Sequence, residues 1–223
     1  HLWENLTGVL WYVVRCVPMG TPHLQPIMET TIRARNKRQG IRPSKAAMQA
    51  LDWWHSTVQH IQATHQGAWH GDNILPKQRT NVRIARGDAG SEWGMGAVDD
   101  QHFYSQKWPQ GMWAAVQRTK STSSLHMEAL QVLVAARAMG PSWSNQEINM
   151  QLDSLGLVHT IRKGRHQHQP INDILRELTH LQVQHNFQLH TSWVRRSYNE
   201  AADALSKADM HRFWQNTSGR RCS

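Results

Sequence analysis

The first 80 residues carry apolar side chains at the spacing of helices. An apolar run over 2–17 ends at a proline and a glycine, which predicts a helix there, and a weaker helical segment follows over 24–37. Ser44 is placed to cap a third helix over 45–62. Apolar residues recur on one face of this third helix: Met48, Leu51, Trp54 and Val58.

After residue 80 the apolar spacing alternates between that of strands and that of helices. The order β-β-β-α-β-α-α-β-α predicts an α/β domain. The predicted elements are a strand from 82, a hairpin of 93–98 and 103–108, a helix over 124–139, a strand over 148–152, helices over 155–163 and after Pro170, a strand over 187–193, and a last helix capped by Asn199.

Composition and charge narrow the classes of function. Of 223 residues, 39% are hydrophobic, enough for a packed core, which excludes wholesale disorder. The net charge of +9 predicts a polyanionic partner, and nucleic acid is the first candidate. No apolar run is long enough to span a bilayer, so we expect no membrane partner.

The cysteines and the first residue say less about function than the charge does. Two cysteines exclude a disulfide framework and a cysteine zinc cluster, and this usage is typical of a reducing compartment inside the cell. The chain begins with His1 rather than Met, which fits a piece of a longer protein.

Four acidic residues stand out by position: Asp88 ends the first strand, Glu128 lies in the first helix of the α/β domain, Asp153 ends the fourth strand, and Asp203 lies in the last helix. Each alone has an ordinary explanation as a turn, cap or exposed residue. If the first and fourth strands are parallel neighbours, their acids meet at one sheet edge. Four carboxylates there would repel unless divalent cations were bound, and oxygen ligands favour Mg²⁺ or Mn²⁺.

Residues 81–209 resemble a ribonuclease H domain, and most closely the version carried by DIRS-type retrotransposons beside their reverse transcriptase. The resemblance rests on four segments in order: 87–98 (GDAGSEWGMGAV), 126–133 (HMEALQVL), 151–158 (QLDSLGLV) and 193–206 (WVRRSYNEAADALS). It implies a mixed five-stranded sheet, with three antiparallel and two parallel strands, flanked by helices. It also implies that the four acids hold two Mg²⁺ ions, with Asp88 and Asp153 bridging them, to hydrolyse the RNA strand of RNA–DNA hybrids.

The remaining segments complete the predicted organisation. Residues 1–80 resemble the connection between the thumb of such a reverse transcriptase and its ribonuclease H, and 210–223 are predicted to be a C-terminal tail. A loop rich in glycine over 67–80 predicts the domain boundary. The chain contains no paired-Asp polymerase motif, so polymerisation is not predicted.

Five basic residues are candidates for nucleic-acid binding. Arg162, Lys163 and Arg165 lie between two helices, where family members with a basic protrusion grip the hybrid, although a solvated loop is an equally ordinary explanation. Arg195 and Arg196 precede the last helix. Many cellular members of the family carry a histidine in this loop, which is thought to help product release, and this chain has none there. They also commonly have Thr just before the first aspartate, where this chain has Gly87.

The sequence thus favours a metal-dependent endonuclease acting on RNA–DNA hybrids, within a retroelement-derived reverse transcriptase. A second hypothesis is a catalytically idle, retroelement-derived subunit that binds structured RNA in a large ribonucleoprotein. A larger polyprotein or ribonucleoprotein is therefore an expected partner. A transposase or integrase is disfavoured, because those enzymes usually order their acids as Asp, Asp and Glu, whereas here Glu128 comes second.

Overall fold

The computed structural model describes residues 2–15, 17–37, 41–65, 82–112 and 123–218. The chain divides into two compact units, 1–78 and 79–223. The loop predicted over 67–80 lies outside the described residues. Among the helices in those ranges, none is both long and apolar enough to cross a membrane.

The first unit contains three helices, as the apolar spacing predicts: α1 (Leu2–Val13), α2 (Thr21–Asn36) and α3 (Lys45–His65). Ser44 Oγ accepts a hydrogen bond from the Ala47 amide at 3.2 Å, which confirms the predicted cap of α3. The helices enclose a small apolar core of six buried residues: Leu10, Val17, Leu24, Ile27, Ala50 and Trp54.

The second unit contains five strands and five helices within the described residues. They are, in order, β1 (Val82–Ala89), β2 (Gly94–Val98), β3 (Phe103–Lys107), α4 (Ser123–Met139), β4 (Glu147–Leu152), α5 (Leu155–Lys163), α6 (Gln169–His185), β5 (Gln188–Trp193), α7 (Glu200–Ser206) and α8 (Met210–Ser218). The order of the first nine elements is the order that the sequence predicts.

The strands form one mixed sheet in the order β3-β2-β1-β4-β5. Strands β1, β2 and β3 are antiparallel neighbours, whereas β4 runs parallel to both β1 and β5. Helix α4 connects β1–β3 to the parallel half of the sheet, and α5 and α6 form the crossover between β4 and β5. This arrangement confirms the predicted ribonuclease H-like fold.

The core lies between one face of the sheet and helices α4, α5 and α6. Alternate residues of the strands point into it, and those of β4 show the pattern most clearly, because Ile148, Met150 and Leu152 are all buried. Buried residues of α4, such as Val132 and Ala135, pack against them. This packing fixes α4 relative to the carboxyl ends of β1 and β4.

Helix α7 packs on the opposite face of the sheet, and Gly96 in β2 permits its close approach. A Cβ atom at Gly96 would lie 2.4 Å from Leu205 Cβ and 2.8 Å from backbone atoms of Leu205 and Ser206. Any side chain at this position would therefore push α7 away from the sheet.

Residues 210–218, which the sequence predicts to be part of a tail, form helix α8. Phe213 is buried in this helix and packs with Ala201, Ala204 and Leu205 of α7. The prediction missed the helix because its apolar side consists of little more than one pair of adjacent aromatic residues, which gives no periodic pattern.

Candidate active site

Asp88 and Asp153 lie side by side at the carboxyl ends of β1 and β4. The last paired positions of these parallel strands are Arg86 and Gln151, and each aspartate follows its paired residue by two positions in the sequence. The indole Nε1 of Trp193 donates to the backbone oxygen of Asp153 at 3.1 Å, which fixes the chain where β4 ends.

Glu128 reaches the same place from α4. The buried stripe of α4 orients its carboxyl group toward the strand ends, where the Ser154 hydroxyl hydrogen-bonds to it. Burial is the main cause that raises the pKa of Glu128 to about 7. The charges of Asp153 and Asp88 also raise it, whereas the Ser154 hydrogen bond and the Arg196 charge lower it. The carboxyl group is therefore close to both aspartates.

Asp88 is 8% exposed and accepts a hydrogen bond from the Ser206 hydroxyl of α7. Burial raises the pKa of Asp88, and the charges of Asp153 and Asp203 act in the same direction. Because Ser206 belongs to α7, its bond to Asp88 connects strand β1 to this helix. Ser206 Oγ also lies 2.9 Å from the Asp203 backbone oxygen.

Asp203 is 4% exposed and is surrounded by cations. Lys207 Nζ contacts both of its carboxylate oxygens at 2.8 Å, Arg212 of α8 contacts Oδ2 at 2.8 Å, and Arg196 contacts Oδ1 at 3.4 Å. Burial alone would raise the pKa of Asp203, but Lys207, Arg212 and Arg196 together lower it. Asp203 is thus ionised and already fully partnered within the protein.

The four acids form what we call the acidic cluster: Asp88, Glu128, Asp153 and Asp203. Arg196 contacts two of them, and its charge acts on the other two. Its Nε atom is 4.0 Å from Asp153 Oδ2, in addition to the contact with Asp203. Its charge also lowers the pKa of Asp88 and of Glu128. The structure therefore brings the four predicted acids together around one arginine.

Sequence reasoning missed four residues that complete the site: Ser154, Ser206, Lys207 and Arg212. The position of Lys207 gives a weak indication, because it follows Asp203 by four residues at the end of α7, the usual spacing of an ion pair on a helix. Ser154 is adjacent to Asp153, but nothing in its position predicts a bond to Glu128. Arg212 has no local signal, because its partnership with Asp203 depends on how α8 folds back.

The basic residues predicted to bind nucleic acid differ in their surroundings. Arg162 is exposed, and two nitrogens of its guanidinium donate to the Thr191 backbone oxygen at 2.8 and 3.0 Å. Lys163 and Arg195 are exposed, and Arg165 is half-buried. All five predicted residues therefore stay candidates for nucleic-acid binding, and Arg162 is the one with two nitrogens already bonded to the backbone.

The side chain of Gln131 fills the space beside residue 87, just before Asp88, and leaves room there for a glycine. A Cβ atom at Gly87 would lie 2.3 Å from Gln131 Nε2, and Gln131 is 1% exposed and donates to the Gly96 backbone oxygen at 3.1 Å. The space that a threonine side chain would fill is therefore occupied by a glutamine of α4.

Asn199 lies at the predicted N-cap position of α7, but its side chain serves a different purpose. Its Nδ2 donates to the Gly87 backbone oxygen at 2.9 Å, and it makes no capping bond to the helix. The amide thereby joins the start of α7 to the strand residue that precedes Asp88.

The acidic cluster fits a hard divalent cation in donor chemistry, with one exception. Carboxylate oxygens are the ligands that Mg²⁺ and Mn²⁺ prefer. Such a cation would offset the burial and, to a smaller extent, the charge repulsion that raise the pKa of Asp88 and of Glu128. The exception is Asp203, whose oxygens already accept bonds from cations. Within the described ranges, no three Asp, Glu, His or Cys side chains are placed to hold one ion together.

A comparison with protein-family models gives a match within the second unit. Residues 109–209 match a family model described as "Reverse transcriptase-like". A search of curated proteins finds no match to the chain.

Several solved structures are similar to part of the chain. RNase H1 from the halophilic archaeon Halobacterium salinarum NRC-1 is 15% identical, with 58% of this chain and 99% of that chain covered and a TM-score of 0.42. An N-terminal RNase H domain from Mycobacterium tuberculosis is 16% identical, covering 57% and 98%, with a TM-score of 0.44. LC11-RNase H1, isolated from compost and solved with an RNA/DNA hybrid, is 15% identical, covering 56% and 91%, with a TM-score of 0.43.

The raised pKa of Glu128 predicts a pH-dependent stability that Glu128→Gln removes. Folding favours the protonated carboxyl, so its stabilisation is present below the ordinary pKa of 4.5 and is lost as pH rises through about 7. In EDTA, the free energy of unfolding in urea should fall between pH 5 and pH 8. For wild type this fall should exceed that for Glu128→Gln by about 1–3 kcal/mol. Parallel pH profiles for the two proteins would contradict the burial and crowding of this carboxyl group.

Proposed function

We propose that the second unit is a metal-dependent endonuclease that hydrolyses the RNA strand of RNA–DNA hybrids. The observation that carries this proposal is the acidic cluster, in which carboxyl groups from β1, α4, the end of β4 and α7 meet on a ribonuclease H-like sheet. Carboxylates gathered this closely are costly without a cation, and such sites cluster where chemistry is performed. The match to a reverse transcriptase-like family model supports the same class.

The proposed cofactor is a pair of Mg²⁺ ions, with Mn²⁺ as a substitute, held by Asp88, Glu128, Asp153 and Asp203. When bound, the ions would supply an activated water and charge neutralisation at the scissile phosphate. The protein contributes the positions of the ligands. Ser206 and Ser154 orient the Asp88 and Glu128 carboxyl groups, and Trp193 holds the backbone at Asp153.

Asp203 would enter this site only by exchanging partners. Lys207 and Arg212 hold its two oxygens at 2.8 Å, so a metal ion would have to replace or share these contacts. Asp88, Glu128 and Asp153 carry no comparable set of close cations among the described residues. We therefore infer that Asp203 joins Asp88, Glu128 and Asp153 as a ligand only after it gives up part of its contact with Lys207 or Arg212.

The proposed substrate surface consists of accessible basic residues at the end of α5, in the connection to α6, and in the segment before α7. Lys163, Arg165 and Arg195 have accessible side chains, and the net charge of +9 favours a polyanion throughout. Arg162 is exposed as well, but two of its guanidinium nitrogens donate to the Thr191 backbone oxygen, so fewer of its donors can face a phosphate.

A salt titration tests this surface. Affinity for an RNA–DNA hybrid should fall steeply with salt, and Lys163→Ala with Arg165→Ala should flatten the log–log slope by about one unit for each phosphate that the variant no longer neutralises. Arg137→Ala is the matched control, since Arg137 pairs with Glu177 at the far end of α4 from the acidic cluster. Equal slopes in the loop variant and in wild type would show that the loop touches no phosphate.

A labelled RNA–DNA hybrid tests the activity directly. Wild type should cleave the RNA strand in Mg²⁺ or Mn²⁺, and it should leave RNA–RNA and DNA–DNA duplexes intact. If the protein binds the hybrid and cuts it with neither metal, the endonuclease proposal is wrong.

The second candidate function is a structural RNA-binding subunit derived from a retroelement. The observation that favours it is the cation shell of Asp203, because Lys207, Arg212 and Arg196 neutralise this carboxylate without any metal. Such a network can hold α7 and α8 together whether or not catalysis survives. Uptake of Mg²⁺ or Mn²⁺ without cleavage of any duplex would favour a relic of the enzyme over the enzyme itself.

The parent protein belongs to the proposal as well. We infer a retroelement reverse transcriptase of DIRS type, in which 1–80 would form the connection that precedes the ribonuclease H-like domain at 81–209. The family match at 109–209 supports the second of these assignments. The three-helix unit at the start of the chain is compatible with the first.

A further inference from the structure

Arg196 differs from the other two cations of the acidic cluster in what it contacts. Lys207 and Arg212 pair with Asp203 at 2.8 Å, whereas Arg196 spans from Asp203 to Asp153. It therefore links a carboxylate that has other cationic partners to one that ends β4. Its charge also acts on Asp88 and Glu128, so all four proposed ligands experience it.

The contacts of Arg196 are those of a side chain held by charge rather than by packing. They measure 3.4 and 4.0 Å, and the side chain is 72% exposed. It projects from a short 3₁₀ turn, Arg196–Tyr198, between β5 and α7. An arginine in this situation can leave the carboxylates by rotating its side chain, without any movement of the backbone.

We propose that Arg196 is an internal counter-ion that competes with the divalent cation for the carboxylates of the acidic cluster. This inference rests on the proposed function. A divalent cation bound at Asp153 would repel a guanidinium only about 4 Å from the same carboxylate, because like charges at that distance interact strongly in a partly buried site. Metal uptake therefore requires Arg196 to turn outward, and its affinity for the carboxylates reduces the affinity for the metal.

The same competition means that Arg196 pairs with the carboxylates before metal binds and becomes available to a phosphate afterwards. While its guanidinium is held by Asp153 and Asp203, it is not available to a phosphate of bound nucleic acid. Once displaced, it presents a planar, exposed donor beside the metal ligands, where phosphate is the matching acceptor. Arg196 is thus a positioning residue whose state depends on the metal.

Isothermal titration with Mg²⁺ and with Mn²⁺, at low salt and without nucleic acid, tests the proposal. Arg196→Gln should bind the metal roughly three- to tenfold more tightly than wild type, which is the range expected for partly exposed ion pairs. Arg195→Gln is the matched control, since it removes the same charge from the adjacent exposed position. Arg196→Lys should lie between Arg196→Gln and wild type, because a lysine keeps the charge but lacks the fork that reaches two carboxylates.

Each outcome decides the matter. Tighter metal binding by Arg196→Gln alone supports the proposal, including the case in which wild type shows no measurable uptake. Equal tightening by Arg195→Gln and Arg196→Gln would reduce the effect to net charge and overturn it. Metal binding by wild type that Arg196→Gln leaves unchanged overturns it while the proposed function stands. If none of the variants takes up either metal, both proposals fail.

Discussion

Replacing Asp153 with Asn should reduce cleavage of an RNA–DNA hybrid by about a hundredfold or more, while hybrid affinity stays nearly unchanged. Asp153 lies beside Asp88 at the strand ends, and its carboxylate is 23% exposed, so a metal ion and its water can reach it. The substitution removes one negative ligand charge, which weakens metal binding and displaces the attacking water. Cleavage rates under single-turnover conditions and hybrid affinity by fluorescence anisotropy give the two measurements.

The local fold around residue 153 should survive this substitution. Trp193 donates to the backbone oxygen of Asp153, which Asn retains, and the amide is close in shape to the carboxylate. Asp173→Asn provides the matched control, because Asp173 is an exposed aspartate of α6 that pairs with Arg176. If Asp153→Asn cleaves as fast as Asp173→Asn, Asp153 is not a metal ligand and the assignment of the acidic cluster is wrong.

Gly96→Ala should destabilise the second unit by about 2–3 kcal/mol and lower hybrid cleavage as well. The added methyl group would lie within 2.4–2.8 Å of Leu205 and of the backbone at Ser206. Backbone atoms of a packed helix cannot rotate away as a side chain can, so α7 must shift. Because α7 carries Asp203 and Ser206, the shift would also disturb the acidic cluster. Urea unfolding measures the first effect and the cleavage assay the second.

Gly156→Ala is the control for this substitution. Gly156 lies in α5, and a Cβ atom there would meet only Leu125 Cδ1, at an ordinary 3.8 Å. Alanine in place of glycine inside a helix should stabilise it by about 0.5–1 kcal/mol. If Gly96→Ala is as stable as Gly156→Ala, the close packing of α7 on β2 does not contribute to the stability of the domain.

The sheet could be predicted because its signals are local. Alternation in β4 and helical spacing in α6 are visible within a few residues, and the order of elements then allows few topologies. Asp88 and Asp153 could be placed together only on the condition that their strands are parallel neighbours. The resemblance to ribonuclease H domains implied a sheet of this kind, and the pairing of β1 with β4 meets the condition.

The electrostatic surroundings of the site could not be predicted in the same way. The positions of Arg212 and Arg196 depend on how a helix and a turn pack after the sheet has formed. Arg162 is a further example, because nothing in its basic run indicates that its guanidinium also donates to the Thr191 backbone oxygen. Charge in a sequence indicates a class of partner, whereas the partner of each side chain is decided by tertiary packing.

Helix α8 lies beyond residue 209, where the match to the family model ends, yet Arg212 of this helix neutralises Asp203 inside the matched region. The part of the chain that is recognisable by descent is therefore not electrostatically self-contained. Recombination that exchanged only the recognisable segment would carry a buried aspartate away from one of its counter-charges. A version of the domain that ended at residue 209 would keep the buried Asp203 and lose this partner.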